Sequence, residues 1–175
     1  MEMRVLVAYG SKYGATAEIA GRIGQVLGGA GLPTDVLPAV GVRDLTPYRA
    51  VVLGSAVYMG LWRRPAANLL KTHEQTLSSQ LVWLFSSGPM GEGNPLTLTD
   101  GWRLPASLQP IANRIRPRDI AVFHGKADVQ KLNPFEKWIM KKVKAPHGDF
   151  RDWDAIASWA TRIADELKQG DAVSQ

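Results

Sequence analysis

Four short, nearly continuous apolar runs set the frame for this chain, Arg4 to Tyr9, Ala50 to Gly54, Leu81 to Ser86 and Ile120 to Phe123, and Thr34 to Leu37 reads as a further strand after the turn Gly31-Leu32-Pro33. A strand reads as unbroken apolar sequence, rather than alternating, when both its faces are covered; this happens in parallel sheets whose crossovers lay helices on each side. The intervening segments carry helical signals. From Thr16 onward, Ile19, Ile23, Val26 and Leu27 form one apolar stripe that runs out at Gly28-Gly29. Pro65 to Leu77 starts with a proline suited to a first helical turn. Leu108 to Ile115 reads as a further helix, and Asp152 suits the N-cap of a last one, with Trp153, Ile156, Ala160, Ile163 and Leu167 on one face. The order β-α-β-α-β-α-β-α-β-α predicts an α/β fold: a doubly wound, five-stranded parallel sheet with helices on both faces.

A chain of 175 residues, 45% hydrophobic, is long enough for one well-buried core and short for two. The expected organisation is a single domain over 1–170 with a short tail over 171–175. No apolar run approaches the roughly 18 residues of a membrane span, and Met1-Glu2-Met3-Arg4 leads straight into a strand without a secretory pattern, so a cytoplasmic protein is expected. The chain has no cysteine, which removes disulfides, thiolate nucleophiles, iron–sulfur clusters and thiolate zinc sites; redox chemistry would have to come from a borrowed cofactor, and no metal ligands are assigned.

In an open α/β sheet a ligand lies beyond the carboxyl ends of the strands, at the point where the strand order reverses. Here the loops after the first and third strands flank that point. The first, Ser11-Lys12-Tyr13-Gly14-Ala15-Thr16, places two hydroxyls, a tyrosine, a glycine and successive backbone N–H groups at a helix N-terminus, where orphan donors and the helix dipole attract a phosphate. With one glycine and no Gly-Lys-Ser/Thr ending it fits neither the dinucleotide nor the Walker pattern, which leaves a monophosphate cradle or a hydroxyl-rich turn that caps the helix. The second loop, Ser55-Ala56-Val57-Tyr58-Met59-Gly60-Leu61-Trp62, is apolar for a connection and suits the cover of a flat heterocycle, although Tyr58 and Trp62 could instead pack beneath the next helix.

The first loop resembles the phosphate loop of the flavodoxin family, Ser/Thr-x-Thr/Tyr-Gly-x-Thr, through Ser11, Tyr13, Gly14 and Thr16. With the five strands in the family's order 2-1-3-4-5, the resemblance extends over nearly the whole chain. It implies FMN as cofactor, with residues 11–16 on its phosphate and Ser55, Ala56, Val57, Tyr58, Met59, Gly60 and Trp62 around the ring, Gly60 near the reactive N5 edge. It also implies Ser87 and Gly88 at the pyrimidine edge. A deazaflavin of similar shape is the alternative cofactor.

The formal charge of +5 is unlike the acidic electron carriers of that family, and it is local: nine Lys or Arg fall between Arg114 and Lys144 against three acids. A long loop after strand four, 88–105, expected to act as a mobile lid or partner surface, and a basic helix after strand five resemble the menaquinone-dependent protoporphyrinogen dehydrogenase type. That resemblance implies an oxidoreductase of heme biosynthesis passing electrons from a reduced organic substrate such as protoporphyrinogen to a quinone-type acceptor. In the basic segment, 134–144, Phe135, Trp138, Ile139 and Val143 line one face and Lys137, Lys141, Lys142 and Lys144 fall largely elsewhere. Such a helix suits anionic lipid at the inner membrane surface, an anionic substrate, or packing on the sheet through its aromatic face. Arg63 and Arg64 are candidates to hold a carboxylate or a reduced flavin, with a solvated-surface place for one of the two, and His124 is either a structural residue at a strand end or a proton relay. The competing classes are a non-enzymatic flavin electron carrier and a flavin-free protein that binds a membrane surface or nucleic acid; no sequence-specific nucleic acid is expected, and the oligomeric state is open.

Overall fold

The computed structural model describes residues 2–144 and 146–173. The five expected strands form β1 (Val5–Gly10), β2 (Thr34–Pro38), β3 (Ala50–Tyr58), β5 (Leu81–Ser87) and β6 (Asp119–Phe123), with the two-residue β4 (Leu61–Trp62) folded back on β3. The parallel sheet runs β2-β1-β3-β5-β6. Val7 stands between Val36 and Val52, and Trp83 follows opposite Val52. The order reverses between β1 and β3, where Gly10 is paired with Ser55, so a crevice opens beyond those two ends.

Helix α1 (Ala15–Gly29) and the last helix, α7 (Trp153–Val173), cover one face of the sheet. There Ile19, Ile23 and Leu27 meet Ile156, Trp159, Ile163 and Leu167 over Val5, Val7, Val52 and Phe85. The rings of Phe85, Phe123 and Trp159 make a three-way aromatic contact with centroids 5.4 to 6.1 Å apart. Gly54 allows it, since a Cβ at that position would lie 2.1 Å from the Phe85 ring. Helices α2 (Arg64–Thr72), α3 (Glu74–Leu77) and α5 (Gln109–Ile115) cover the other face with Leu69, Leu70, Leu77, Ile111 and Ile115.

Several local expectations change. The crossover from β2 to β3 carries a 3-10 turn, Ala39–Gly41, in place of an α-helix. The helix expected over 65–77 is divided at His73, whose φ of −105° and ψ of 20° leave the α region. On α7 it is Trp159 that is buried, its Nε1 donating to Asp119 Oδ2 at 2.8 Å, whereas Trp153 lies near the surface under the Arg151 guanidinium. That helix takes in residues 171–173 of the expected tail, and 174–175 fall outside the described residues.

The 88–105 segment is tied down. It contains α4 (Pro95–Leu98) and buries Leu104; Ser86 Oγ donates to Arg103 O, Arg103 Nη1 donates to Ile120 O, and the His124 ring lies between the Pro89 and Gly93 carbonyls, within hydrogen-bond reach of each. The excursion that overhangs the crevice lies later. It runs from β7 (Lys126–Ala127) through α6 (Pro134–Lys142) to β8 (Gly148–Asp149), closed at its base by the antiparallel β7–β8 pair and by Phe150 N donating to Gly125 O. The aromatic face of α6 does not pack on the sheet: Phe135, Trp138 and Val143 are 65%, 56% and 65% exposed.

Candidate functional site

The crevice holds a cavity of about 210 Å³. One wall is the loop between β1 and α1, with Ser11, Lys12, Tyr13, Ala15 and Thr16. A second is the end of β3, with Ala56, Val57 and Tyr58; a third is the end of β5, with Ser87 and Gly88. Arg63, Glu18, Met90, residues 125–128, Lys131, Leu132 and Met140 complete the lining.

The first loop owes its shape to Gly14, which sits in the left-handed region at φ 92° and ends the turn into α1. Ser11 Oγ accepts from Gly14 N at 3.0 Å, so this hydroxyl closes the loop on itself. No side chain caps α1, and the N–H groups of its first turn have no intrahelical acceptor. The reading of the loop as a hydroxyl-rich helix cap therefore fails. Thr16, 1% exposed, shares a 2.9 Å hydrogen bond with Ser87 Oγ and so joins the first wall to the third. An anion at this end of the cavity would meet free amide donors and the positive end of a four-turn helix.

The apolar stretch after the third strand is a hairpin: β3 continues to Tyr58, turns at Met59 (φ 51°) and Gly60 (φ 75°), and returns as β4. Alternation along the strands then separates the residues expected around a ring. Tyr58, 40% exposed, stands at the cavity mouth, while Met59 and Gly60 form the solvent-exposed tip. Trp62 turns inward, 6% exposed among Ala66, Leu69 and Leu70, with Nε1 donating to Ser86 Oγ at 2.8 Å. Ser55 is fully buried; its Oγ accepts from Arg63 N and donates to Ala56 O, both at 2.8 Å, fixing the hairpin's exit. Trp62 and Ser55 hold the site from behind and do not line it. Gly88 packs against Val57 and abuts Gly125, where a Cβ would lie 3.0 Å from Gly88 Cα, so two backbones approach closely at the inner end.

Of the three remaining candidates, Arg63 lines the cavity and Arg64 opens α2 on the surface. His124 is buried and its two ring nitrogens face the Pro89 and Gly93 carbonyls at 3.1 and 2.6 Å; it lies outside the cavity lining and anchors the 88–105 segment.

Two residues that tie the site together carry no sequence signal of their own. Glu136, 4% exposed in the first turn of α6, receives hydrogen bonds from Lys12 Nζ, Tyr13 OH and, at 3.0 Å, Asn133 Nδ2. The Lys12 contact, followed by that from Tyr13, holds its carboxyl below the ordinary value and raises the Lys12 ammonium in return. Lys12 Nζ also lies over the Tyr13 and Tyr58 rings, 5.0 and 5.4 Å from their centroids. Arg151, with a side chain 3% exposed, forks onto Asp149 at 2.9 and 2.8 Å and reaches Glu18 Oε2 and Ala15 O on α1 at 3.1 and 3.2 Å. A surface-helix glutamate and an arginine ahead of the last helix come to brace the site only through contacts more than 120 positions away.

The model of the family described as Flavodoxin domain matches residues 6–154. No curated protein matches the chain. Among solved structures, a flavodoxin from the domain Archaea aligns with a TM-score of 0.63 at 15% identity, over 95% of this chain and 99% of that one. Rubredoxin oxygen:oxidoreductase from the anaerobe Desulfovibrio gigas also gives 0.63, at 13% identity, over 95% of this chain but only 36% of that one. A flavodoxin variant from Pseudomonas aeruginosa gives 0.58 at 16% identity, covering 95% and 99% of the two chains. At these identities the likeness is one of fold.

Proposed function

The chain belongs to the flavodoxin-domain family, and we propose on that premise that it binds FMN in the crevice between β1 and β3 and works as an oxidoreductase. The observation that carries this reading is the uncapped N-terminus of α1 opening, through the 11–16 loop, onto a mostly apolar cavity. The residues present fit the cofactor: amide donors with Ser11 and Thr16 for a phosphate, Val57 and Tyr58 for a flat ring, and Ser87 and Gly88 for a polar ring edge. Bound there, the flavin would supply hydride and single-electron transfer at its ring. The chain would bind and orient it, exclude water with the hairpin and the α6 excursion, and offer Arg63 as the nearby guanidinium for anionic charge.

The partners in this reading are a reduced organic substrate, with protoporphyrinogen the specific candidate, and a quinone-type acceptor. It is supported by α6: Phe135 and Trp138 stack at 6.2 Å on the solvent side, beside Lys137, Lys141, Lys142 and Lys144. No helix among the described residues is long and apolar enough to cross a membrane. An exposed aromatic pair with a lysine fringe suits peripheral contact with acidic lipid, where a quinone would be met.

Visible absorption of the purified protein, repeated with added FMN and with a deazaflavin, tests the cofactor. A flavin spectrum whose titration is weakened on Thr16→Val supports the proposal, folded protein that takes up neither cofactor overturns it, and uptake of the deazaflavin alone replaces FMN. Turnover of quinone with porphyrinogen or another donor then separates an oxidoreductase from a carrier that only exchanges electrons with protein partners.

A further inference from the structure

Helix α6 reaches the cavity through Met140, yet little apolar burial holds it there. Its one buried side chain is a carboxylate, Glu136, while Phe135 and Trp138 face solvent. A carboxylate withdrawn from water is costly unless charged and polar partners replace the solvent. Glu136 finds those partners on the cofactor loop, 123 and 124 positions away, in Tyr13 OH and Lys12 Nζ. Its own turn is arranged to present it: Asn133 caps α6 by accepting from Glu136 N at 2.8 Å, and Asn133 Nδ2 donates to the carboxylate at 3.0 Å. The usual back-bond of a glutamate at this capping position goes to the helix's own N-terminus; here the side chain is turned outward to another element.

The cavity beside α6 measures about 210 Å³, small against the roughly 300–1,000 Å³ of ligand clefts, so a wall that can move would ease the entry of a ligand as large as a flavin mononucleotide. The hairpin wall is continuous with the central strand β3 and the loop wall with β1. The α6 wall is joined to the rest at its base by the two-residue β7–β8 ladder and Arg151, and at its free end by Glu136.

We infer that Glu136 is a positioning residue of the cofactor site: through Lys12 and Tyr13 it latches α6 shut over the cavity, and parting this contact opens the way for cofactor exchange. The inference rests on the FMN reading only for its second half. Lys12 is committed to the latch, which leaves phosphate recognition to backbone donors and hydroxyls.

The test uses the full-length chain with Glu136→Gln, Lys12→Met and the double variant. Amide hydrogen exchange over 134–142 reads the latch without added cofactor, and the rate of FMN release from loaded protein reads its consequence. Glu136→Gln is expected to speed both by about tenfold or more, with exchange in β3 and β5 unchanged as the control for folding. Lys12→Met leaves the buried carboxylate without its cation and is expected to release FMN fastest; adding Glu136→Gln to it should recover part of the loss, as no merely structural defect would. Exchange over 134–142 and FMN release in Glu136→Gln within about twofold of the parent would overturn the inference, as would a double variant that recovers nothing. If the parent binds no FMN, the functional reading falls, and the exchange arm alone upholds or rejects the latch.

Discussion

Thr16 links two of the three walls with one hydroxyl, bonding Ser87 across 71 positions while its backbone starts an uncapped helix. Thr16→Val keeps the shape and removes the hydroxyl, so FMN affinity should fall about tenfold with little change in fold, measured by titration of the flavin absorbance. Gly54 works by absence. A methyl there would stand 2.1 Å from the Phe85 ring, and that ring is held against Phe123 and Trp159. Gly54→Ala should therefore cost about 1–3 kcal/mol in urea denaturation, with the binding loop intact. The two residues differ in legibility. Thr16 is visible from the sequence because its position after a strand and before a helix already defines its chemistry, whereas the need for Gly54 depends on a ring contributed by another strand.

At the scale of elements, the hairpin and the α6 excursion are where pattern reading and structure part. The Ser55–Trp62 stretch reads as an apolar loop because strand pairing of only two residues, Val57 with Trp62 and Tyr58 with Leu61, carries no periodic signal. The pairing decides which aromatic reaches the cavity: Tyr58 stands at its mouth and Trp62 enters the core. In α6 the apolar face is legible and its environment is not. Because Phe135 and Trp138 are exposed, replacing both by serine should leave stability within about 0.5 kcal/mol. If the lipid-contact proposal holds, the same change weakens co-sedimentation with acidic vesicles and leaves neutral vesicles unaffected. Arg151 anchors the excursion's base against α1 through Asp149, Glu18 and Ala15. Arg151→Met leaves these acceptors without their donor and should destabilise the protein by about 1–3 kcal/mol, with earlier proteolytic cleavage within 125–150.

For the whole molecule, the direction of the carboxyl shifts sets the response to acid. Glu136 is lowered by Lys12 and then Tyr13, Asp149 by Arg151, Glu74 by Arg114, and Asp44 by the Thr46 amide and hydroxyl. A group lowered on folding adds stability that is fully present above its unfolded value, near 4.5 for Glu and 3.8 for Asp, and that disappears as the pH falls through the lower folded value. Stability should therefore be level from neutrality down to the ordinary carboxylate range and fall below it, as urea denaturation across that range would show. The excursion over 125–151 should loosen first, since Glu136 and Asp149 both fasten it, and amide exchange at acid pH would reveal that order.

The sequence alone determined the alternation of strands and helices of a doubly wound sheet, because apolar runs, helical stripes and a hydroxyl-rich turn are local patterns tied to short-range geometry; the strand order, and with it the place of the crevice, came with the resemblance to the flavodoxin family. The family match over residues 6–154 agrees with that reading. Tertiary structure decided which residues face the crevice and what closes it. Glu136 reads as one acid in a basic helix, His124 as a structural residue or a proton relay and 88–105 as a lid or partner surface; their places as latch, anchor and fastened segment follow from partners distant in sequence. The reason is physical: a buried polar group is assigned by whichever complementary group the completed fold brings beside it, and no periodicity in the chain records that pairing.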